Sequence, residues 1–315
     1  MEGTRKHLFG CSLGIFFSYF FYGIIQEKIT KSKFGRENDK FTCILTLVFI
    51  QCIINAIIAF IAMKLQNNEV VKSRVPKRLF AFCSLTYIGA MFASNYSLQH
   101  VNYPTQVLGK SAKPIPVMIL GVLWAKKSYP LRKYGFVFMI TLGVMLFLMK
   151  DFSSFKLSNS SVIGFGEILL LISLAFDGIT GAVQDDLRTK YNVRAYDLML
   201  NMNLWSLVYL FPAILISKEF TVFAQFIIKH PEILTWVVGF GLTSALGQIF
   251  IFASITNFGP LMTSIVTTTR KFFTILASVI IFQNPMNFIQ GIGTGLVFLG
   301  LVLDQMYGKE RKLKV

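Results

Sequence analysis

Charged side chains are scarce in this 315-residue chain. Asp, Glu, Lys and Arg supply 15% of it, against about 25% in soluble domains, which excludes an ordinary water-soluble fold. Acidic residues are the scarcer sign, 15 against 31 Lys and Arg, for a net charge of +16. The nine Pro and 23 Gly are too few and too scattered for a disordered, collagen-like or low-complexity chain. Cysteine is confined to Cys11, Cys43, Cys52 and Cys83, within or beside apolar runs and without CxxC or Cys/His spacing. Neither a disulfide framework nor a metal site is expected from them. Histidine occurs three times, at His7, His100 and His230, near the ends of apolar runs and far apart. These read as interfacial polar residues. No Ser/His/Asp or comparable constellation is visible, so no enzyme activity and no cofactor are expected.

What the chain has instead is apolar bulk: 54% of its residues are Ala, Val, Ile, Leu, Met, Phe, Trp, Tyr or Cys, and 32 are Phe. About 20 apolar residues in a helix cross the roughly 30 Å of a bilayer's hydrocarbon. Ten runs of that kind stand between charge clusters, near 8–25, 41–62, 79–98, 104–125, 134–149, 162–183, 197–217, 233–256, 259–282 and 286–306. The expected fold class is an all-α polytopic membrane protein with ten transmembrane helices in a lipid bilayer. The first run has no convincing small-residue cleavage site and another span follows it, so it reads as an uncleaved helix. With the N-terminus in the cytosol, cytosolic segments carry 18 Lys and Arg and the opposite side nine, which puts both termini in the cytosol. Lys28, Lys31, Lys33, Arg36 and Lys40 in the first loop run against that bias. A glycosylation sequon at Asn159-Ser160-Ser161 falls on the far side, close to a span, whereas Asn95-Tyr96-Ser97 sits inside one and should be inert.

Four cations remain, Lys110, Lys113, Arg270 and Lys271, and all lie inside expected helices. A nucleic-acid surface needs a solvent-facing basic stripe, so no nucleic-acid partner is expected; the other Lys and Arg read mostly as loop charges. The two helices that carry the cations resemble each other. Pro104 is followed nine residues later by Lys113 and the segment closes at Pro130; Pro260 is followed ten and eleven residues later by Arg270 and Lys271, and the segment closes at Pro285. The next span in each half carries glycines, Gly135 and Gly143 in one and Gly291, Gly293, Gly295 and Gly300 in the other, which permits close helix packing. The expectation is one transporter domain over 1–315, built of two five-helix repeats, 8–149 and 162–306. Five is odd, so the repeats enter the bilayer from opposite sides and are inverted, with a site near the midplane.

A Lys or Arg at a helix centre costs about 2.5–3.5 kcal/mol to insert, so four call for an anionic partner. Lys110 and Lys113 share a helix face with Gln106; Thr263, Thr267, Arg270 and Thr274 form a comparable stripe, and Lys271 lies alongside Thr268 and Ser264. Guanidinium, ammonium, hydroxyl and amide donors in that pattern suit a polyphosphate. Part of the charge can instead be met within the chain by Glu27, Glu167 or Asp177, the acids at or within membrane depth, which are candidates for gating or charge pairing. Asn95, Asn203 and Gln248 lie in other spans and suit either a base or ribose, or interhelical hydrogen bonds. Pro114 and Pro116 remove two backbone donors beside Lys113, so a kink is expected there. Gly109-Lys110-Ser111 lacks the first glycine of a P-loop and the preceding strand, so ATPase chemistry is not read from it.

The stretches GAMFASNYSLQHVNYPTQVLGKSAKPIPVMILGV (89–122) and FGPLMTSIVTTTRKFFTILASVIIFQNP (258–285) resemble the nucleotide-sugar transporter family of the drug/metabolite transporter superfamily, in particular subgroup B of solute carrier family 35. GIIQEKIT (23–30), LTLVFIQCIINA (45–56), DGITGAVQD (177–185) and GLTSALGQIFIF (241–252) extend the likeness over nearly the whole chain. The resemblance implies the drug/metabolite transporter fold, cytosolic termini and alternating access, with substrate phosphates on Lys110, Lys113, Arg270 and Lys271. Within the subgroup it points to exchange of cytosolic ATP for lumenal ADP across the endoplasmic reticulum membrane. The alternative is antiport of UDP-galactose or another UDP-sugar for UMP in that membrane or the Golgi. Subgroup members often end in a dilysine signal with Lys three residues from the end; here Leu313 takes that place, and Lys312 and Lys314 do not restore it.

Overall fold

The computed structural model describes residues 2–35, 38–65, 75–97, 100–101, 106, 109–124, 126–148, 164–281 and 287–307. Almost all of them are helical. In chain order the helices are α1 (Glu2–Lys31), α2 (Ile44–Leu65), α3 (Lys77–Ser97), α4 (Pro114–Leu123), α5 (Leu131–Leu148), α6 (Phe165–Tyr191), α7 (Ala195–Ser217), α8 (Glu219–Lys229), α9 (Ile233–Phe258), α10 (Pro260–Ile281) and α11 (Phe288–Tyr307). A two-stranded hairpin, β1 (Lys33–Phe34) and β2 (Asp39–Lys40), follows α1. Helix is found within each of the ten apolar runs, and α8 is an addition that a search for long runs passes over. The sequon at Asn159, Pro104, Pro285 and the terminal lysines lie outside the described residues.

Five stretches, Lys6–Thr30, Ile44–Leu65, Phe165–Tyr191, Ala195–Ser217 and Ile233–Phe258, are long and apolar enough to cross a membrane. Their surfaces say the same. Leu65, Ile216 and Phe9 stand exposed while Asn55, Ser84 and Ser244 are completely buried. Water would reverse that arrangement, whereas a hydrocarbon solvent favours it, because polar groups then satisfy one another inside. The chain is a multi-pass helical membrane protein.

Two compact units divide the chain, Met1–Leu85 with Leu187–Phe258, and Thr86–Asp186 with Gly259–Val315. Each draws on both halves of the sequence. In the first unit α1 packs on α9, and α2 on α7 and α9. A buried polar layer ties the last three together: Asn55 Nδ2 donates to Asn203 Oδ1 (3.3 Å) and Ser244 Oγ (3.4 Å), and Asn203 Nδ2 donates to Gln248 Oε1 (2.8 Å). The hairpin closes one end of this unit. Phe41 packs edge-on against Phe223 and Phe226 of α8, and Phe34 against Phe226. Beside them Asp39 Oδ2 meets His230 Nε2 at 3.0 Å and Lys229 Nζ at 2.8 Å. His230, between the end of α8 and the start of α9, is 4% exposed, walled by Phe34 and Phe226.

In the second unit α5 and α11 pack along their lengths, with α10 against α4 and α5. The two backbones meet at Gly143 and Gly293. A Cβ on Gly143 would lie 2.8 Å from the Gly293 carbonyl, and one on Gly293 2.6 Å from the Phe147 nitrogen, so only glycine lets these backbones touch. Gly300 also meets α5, at Ile140, whereas Gly135, Gly291 and Gly295 have open space. Val144, Phe147, Phe272, Leu276 and Val297 fill the interior beside this contact. Lys133, which reads in the sequence as a loop charge, lies inside α5 and forms a buried pair with Asp304 of α11, 2.6 Å apart. The helix starts at Leu131 rather than 134, which draws Lys133 into the packed face.

Candidate functional site

At the expected kink, beside Pro114 and Pro116, the α-helical hydrogen-bond ladder is interrupted. Residues 109–111 are helical, 112–113 form a turn, and α4 begins at Pro114. Proline has no amide proton to continue an α-helical ladder, so the backbone tightens instead. Lys113 N donates to the Lys110 carbonyl at 3.3 Å and Ala112 N to the Gly109 carbonyl at 3.0 Å. The turn brings two ammonium groups, three residues apart in sequence, to one carboxylate.

That carboxylate is Asp177, in the middle of α6. Its Oδ2 lies 2.6 Å from Lys110 Nζ and its Oδ1 2.9 Å from Lys113 Nζ. The Asp177 side chain is 8% exposed and that of Lys110 17%, but Lys113 is 37% exposed. Asp177 and Lys110 thus form the enclosed end of the cluster and Lys113 its open side. Gly178 makes the approach possible. A Cβ there would lie 2.8 Å from the Pro116 carbonyl and 2.7 Å from Leu120 Cδ1. Two hydroxyls fix the same stretch of α6 to α3: Ser173 Oγ donates to the Ala90 carbonyl, and Thr180 Oγ1 donates to Thr86 Oγ1 at 2.8 Å.

The other expected residues fall around or away from this cluster. Gln106 is buried and spends its amide protons on the Ser94 carbonyl (2.8 Å) and Ser94 Oγ (3.1 Å). Arg270 is half-buried on α10 of the same unit. Thr263 and Thr267 donate back to the carbonyls of Gly259 and Ser264, so their hydroxyl protons are engaged by their own helix. Asn95, late in α3, and Glu167, early in α6, are exposed. Asn203 and Gln248 belong to the first unit, where they bond to each other. The side chains of Glu27, Lys271 and Thr274 lie outside the described residues.

Among the described residues, further charged contacts were not expected from the sequence. Lys133 pairs with Asp304, Lys127 Nζ lies 2.9 Å from Asp185 Oδ1, and Arg188 Nε and Nη2 donate to the carbonyls of Thr256 and Asn257 at 2.8 and 3.0 Å. Asp185 shares α6 with Asp177, eight residues on; an acid repeated on the buried face of one helix is the signal that was available. Among the described residues, no group of three or more His, Cys, Asp or Glu gathers as a metal site would require.

The cluster thus sets two ammonium groups against one carboxylate beside an interruption in a helix of a membrane protein, with Lys113 the more exposed of the two lysines. A solved structure and curated sequences resemble the chain over nearly its whole length. A crystal structure 10% identical in sequence shares the fold, with a TM-score of 0.68 over 99% of both chains. The chain is 53% identical over 304 residues to solute carrier family 35 member B1 of Rattus norvegicus, covering 96% of this chain and 94% of that one. It is 52% identical to the Gallus gallus protein of that name over 97% of this chain and 94% of the relative. The Drosophila melanogaster homolog is 42% identical, over 96% and 90%. Residues 7–308, essentially everything from the first helix to the last, match one family pattern, and by it this chain belongs to the UAA transporter family.

Proposed function

We propose that the chain is a nucleotide antiporter that exchanges cytosolic ATP for lumenal ADP across the endoplasmic reticulum membrane. The observation that carries this reading is the convergence of Lys110 and Lys113 at a helix break in a membrane transporter. Membrane-embedded cations of this kind mark a substrate path. On this reading the phosphates of the nucleotide bind Lys110, Lys113, Arg270 and Lys271, where charge-assisted hydrogen bonds are strong. Gln106, Thr267 and Asn95 are secondary contacts. The chain forms ten spans as two inverted repeats, 8–149 and 162–306, with both termini cytosolic, and works by alternating access. Positive charge left over in the empty site after Asp177 is counted disfavours return of the empty carrier, which couples the two fluxes.

The experiment is uptake of labelled ATP by the purified protein in liposomes. Fast uptake only into vesicles loaded with ADP is expected; equal uptake into empty vesicles would refute coupled exchange. A competition panel in the same vesicles compares ADP, AMP, UMP, UDP-galactose and other UDP-sugars. Inhibition by UMP and UDP-sugars, without inhibition by ADP, would replace the adenine reading with UDP-sugar antiport, because cations that hold phosphates do not choose the base. Imaging of tagged protein against endoplasmic reticulum and Golgi markers tests the location.

A further inference from the structure

Among the described residues, Asp177 is the acid that both lysines of the cluster touch, one on each oxygen. A carboxylate bridging two ammonium groups does what a phosphate would do there: it supplies two acceptor oxygens to two donors a few ångströms apart. Gly178 and the hydroxyls of Ser173 and Thr180 set the backbone of α6 beside the break, so the carboxylate is carried to the lysines by the helix rather than by a mobile loop. Lys113 is the more exposed of the two, at 37% against 17%, so an incoming anion reaches its ammonium first.

We infer that Asp177 is an internal counter-anion, which occupies the lysine pair while no substrate is bound and is displaced from it when a phosphate enters. This rests on the reading of Lys110 and Lys113 as phosphate ligands. Two consequences follow. Displacing the carboxylate subtracts from the affinity of every phosphate ligand alike. While it is in place, it cancels one of the two positive charges, so the empty carrier can return across the membrane at a slow rate. Asp177 thus sets both the affinity of the site and the tightness of exchange. A purely structural anchor makes the opposite forecast, because removing an anchor misplaces the lysines and weakens binding.

The test measures binding of tripolyphosphate and ATP by purified protein, and ATP uptake by loaded and empty liposomes. Asp177→Asn should bind both ligands about tenfold more tightly, within the range of ordinary coupling between sites, and should raise the ratio of loaded to empty uptake. Asp177→Glu, which keeps the charge, should stay near wild type in both. Unchanged or weaker binding by Asp177→Asn, with Lys113→Ala still weaker than wild type, overturns the counter-anion role and leaves the phosphate site standing. No loss of binding in Lys113→Ala or Arg270→Ala removes the phosphate site itself, and the inference with it. If Asp177→Asn does not fold, Lys110→Gln with Asp177→Asn is compared with Lys110→Gln alone. Tighter binding by the double variant supports the role; equal or weaker binding overturns it.

Discussion

Lys110, Lys113 and Asp177 show how much of a membrane site is legible in a linear sequence. A cation inside a 20-residue apolar run stands out because hydrocarbon makes it expensive, and so does Asp177 in the middle of α6. That both lysines meet the same acid was not legible, since it depends on a helix break and on the missing side chain at Gly178. Lys133 shows the opposite case. Next to Arg132 and Pro130 it looks like a loop charge, and only packing against a residue 171 positions away reveals the pair. Two predictions belong at this scale. Lys113→Ala and Arg270→Ala should each lower ATP flux on the order of tenfold or more, since a charge-assisted contact to a phosphate is lost; initial rates in loaded vesicles at matched protein density check it. Lys133→Ala should lower stability by about 3–5 kcal/mol because it leaves Asp304 charged and buried alone, while Lys133→Met with Asp304→Leu should recover most of that. Thermal melts in detergent compare the two.

Among the elements, helices within long apolar runs were legible, and a short helix between runs was not. Nothing in a search for membrane-length runs finds α8, which is eleven residues long. The hairpin was hidden too, because two-residue strands carry no periodicity and this one depends on Phe223 and Phe226 for its seat. The glycines of α5 and α11 were visible, but which of them touch was a matter of register. Gly143→Leu should separate the pair and lower the melting temperature more than Gly135→Leu does, since a Cβ at 135 meets nothing within 4 Å. The hairpin gives a pH prediction. The hydrogen bond to His230, and next the one to Lys229, hold the Asp39 carboxyl below the usual carboxylate range. A carboxyl depressed in the folded state stabilises it above the unfolded value of about 3.9 and loses that effect as pH falls through the folded value. Wild type should therefore lose thermal stability more steeply than Asp39→Asn as pH is lowered from about 4, in melts recorded across that range.

For the whole molecule, composition alone excluded water as the solvent, and the buried Asn55, Ser84 and Ser244 explain why that inference is robust: polar groups collect inside when the outside cannot hydrogen-bond. The similar spacing of Pro104 to Lys113 and of Pro260 to Arg270 is a pattern visible in the sequence. The division of the chain into compact units is not, because each unit assembles segments from both halves of the sequence. The base preference of the substrate is equally hidden, since Asn203 and Gln248 serve a hydrogen-bonded layer on their own account.

The touching backbones of α5 and α11 and the outward Phe17, Phe21 and Ile24 of α1 respond differently to their surroundings. A contact made of close-fitting atoms on both sides keeps its partners when the surrounding oil is exchanged. A surface that meets only acyl chains has no partner other than those chains. On purification, the annular lipid stripped by harsh detergents should be missed first along α1, and added phospholipid should restore order there before anywhere near Gly143.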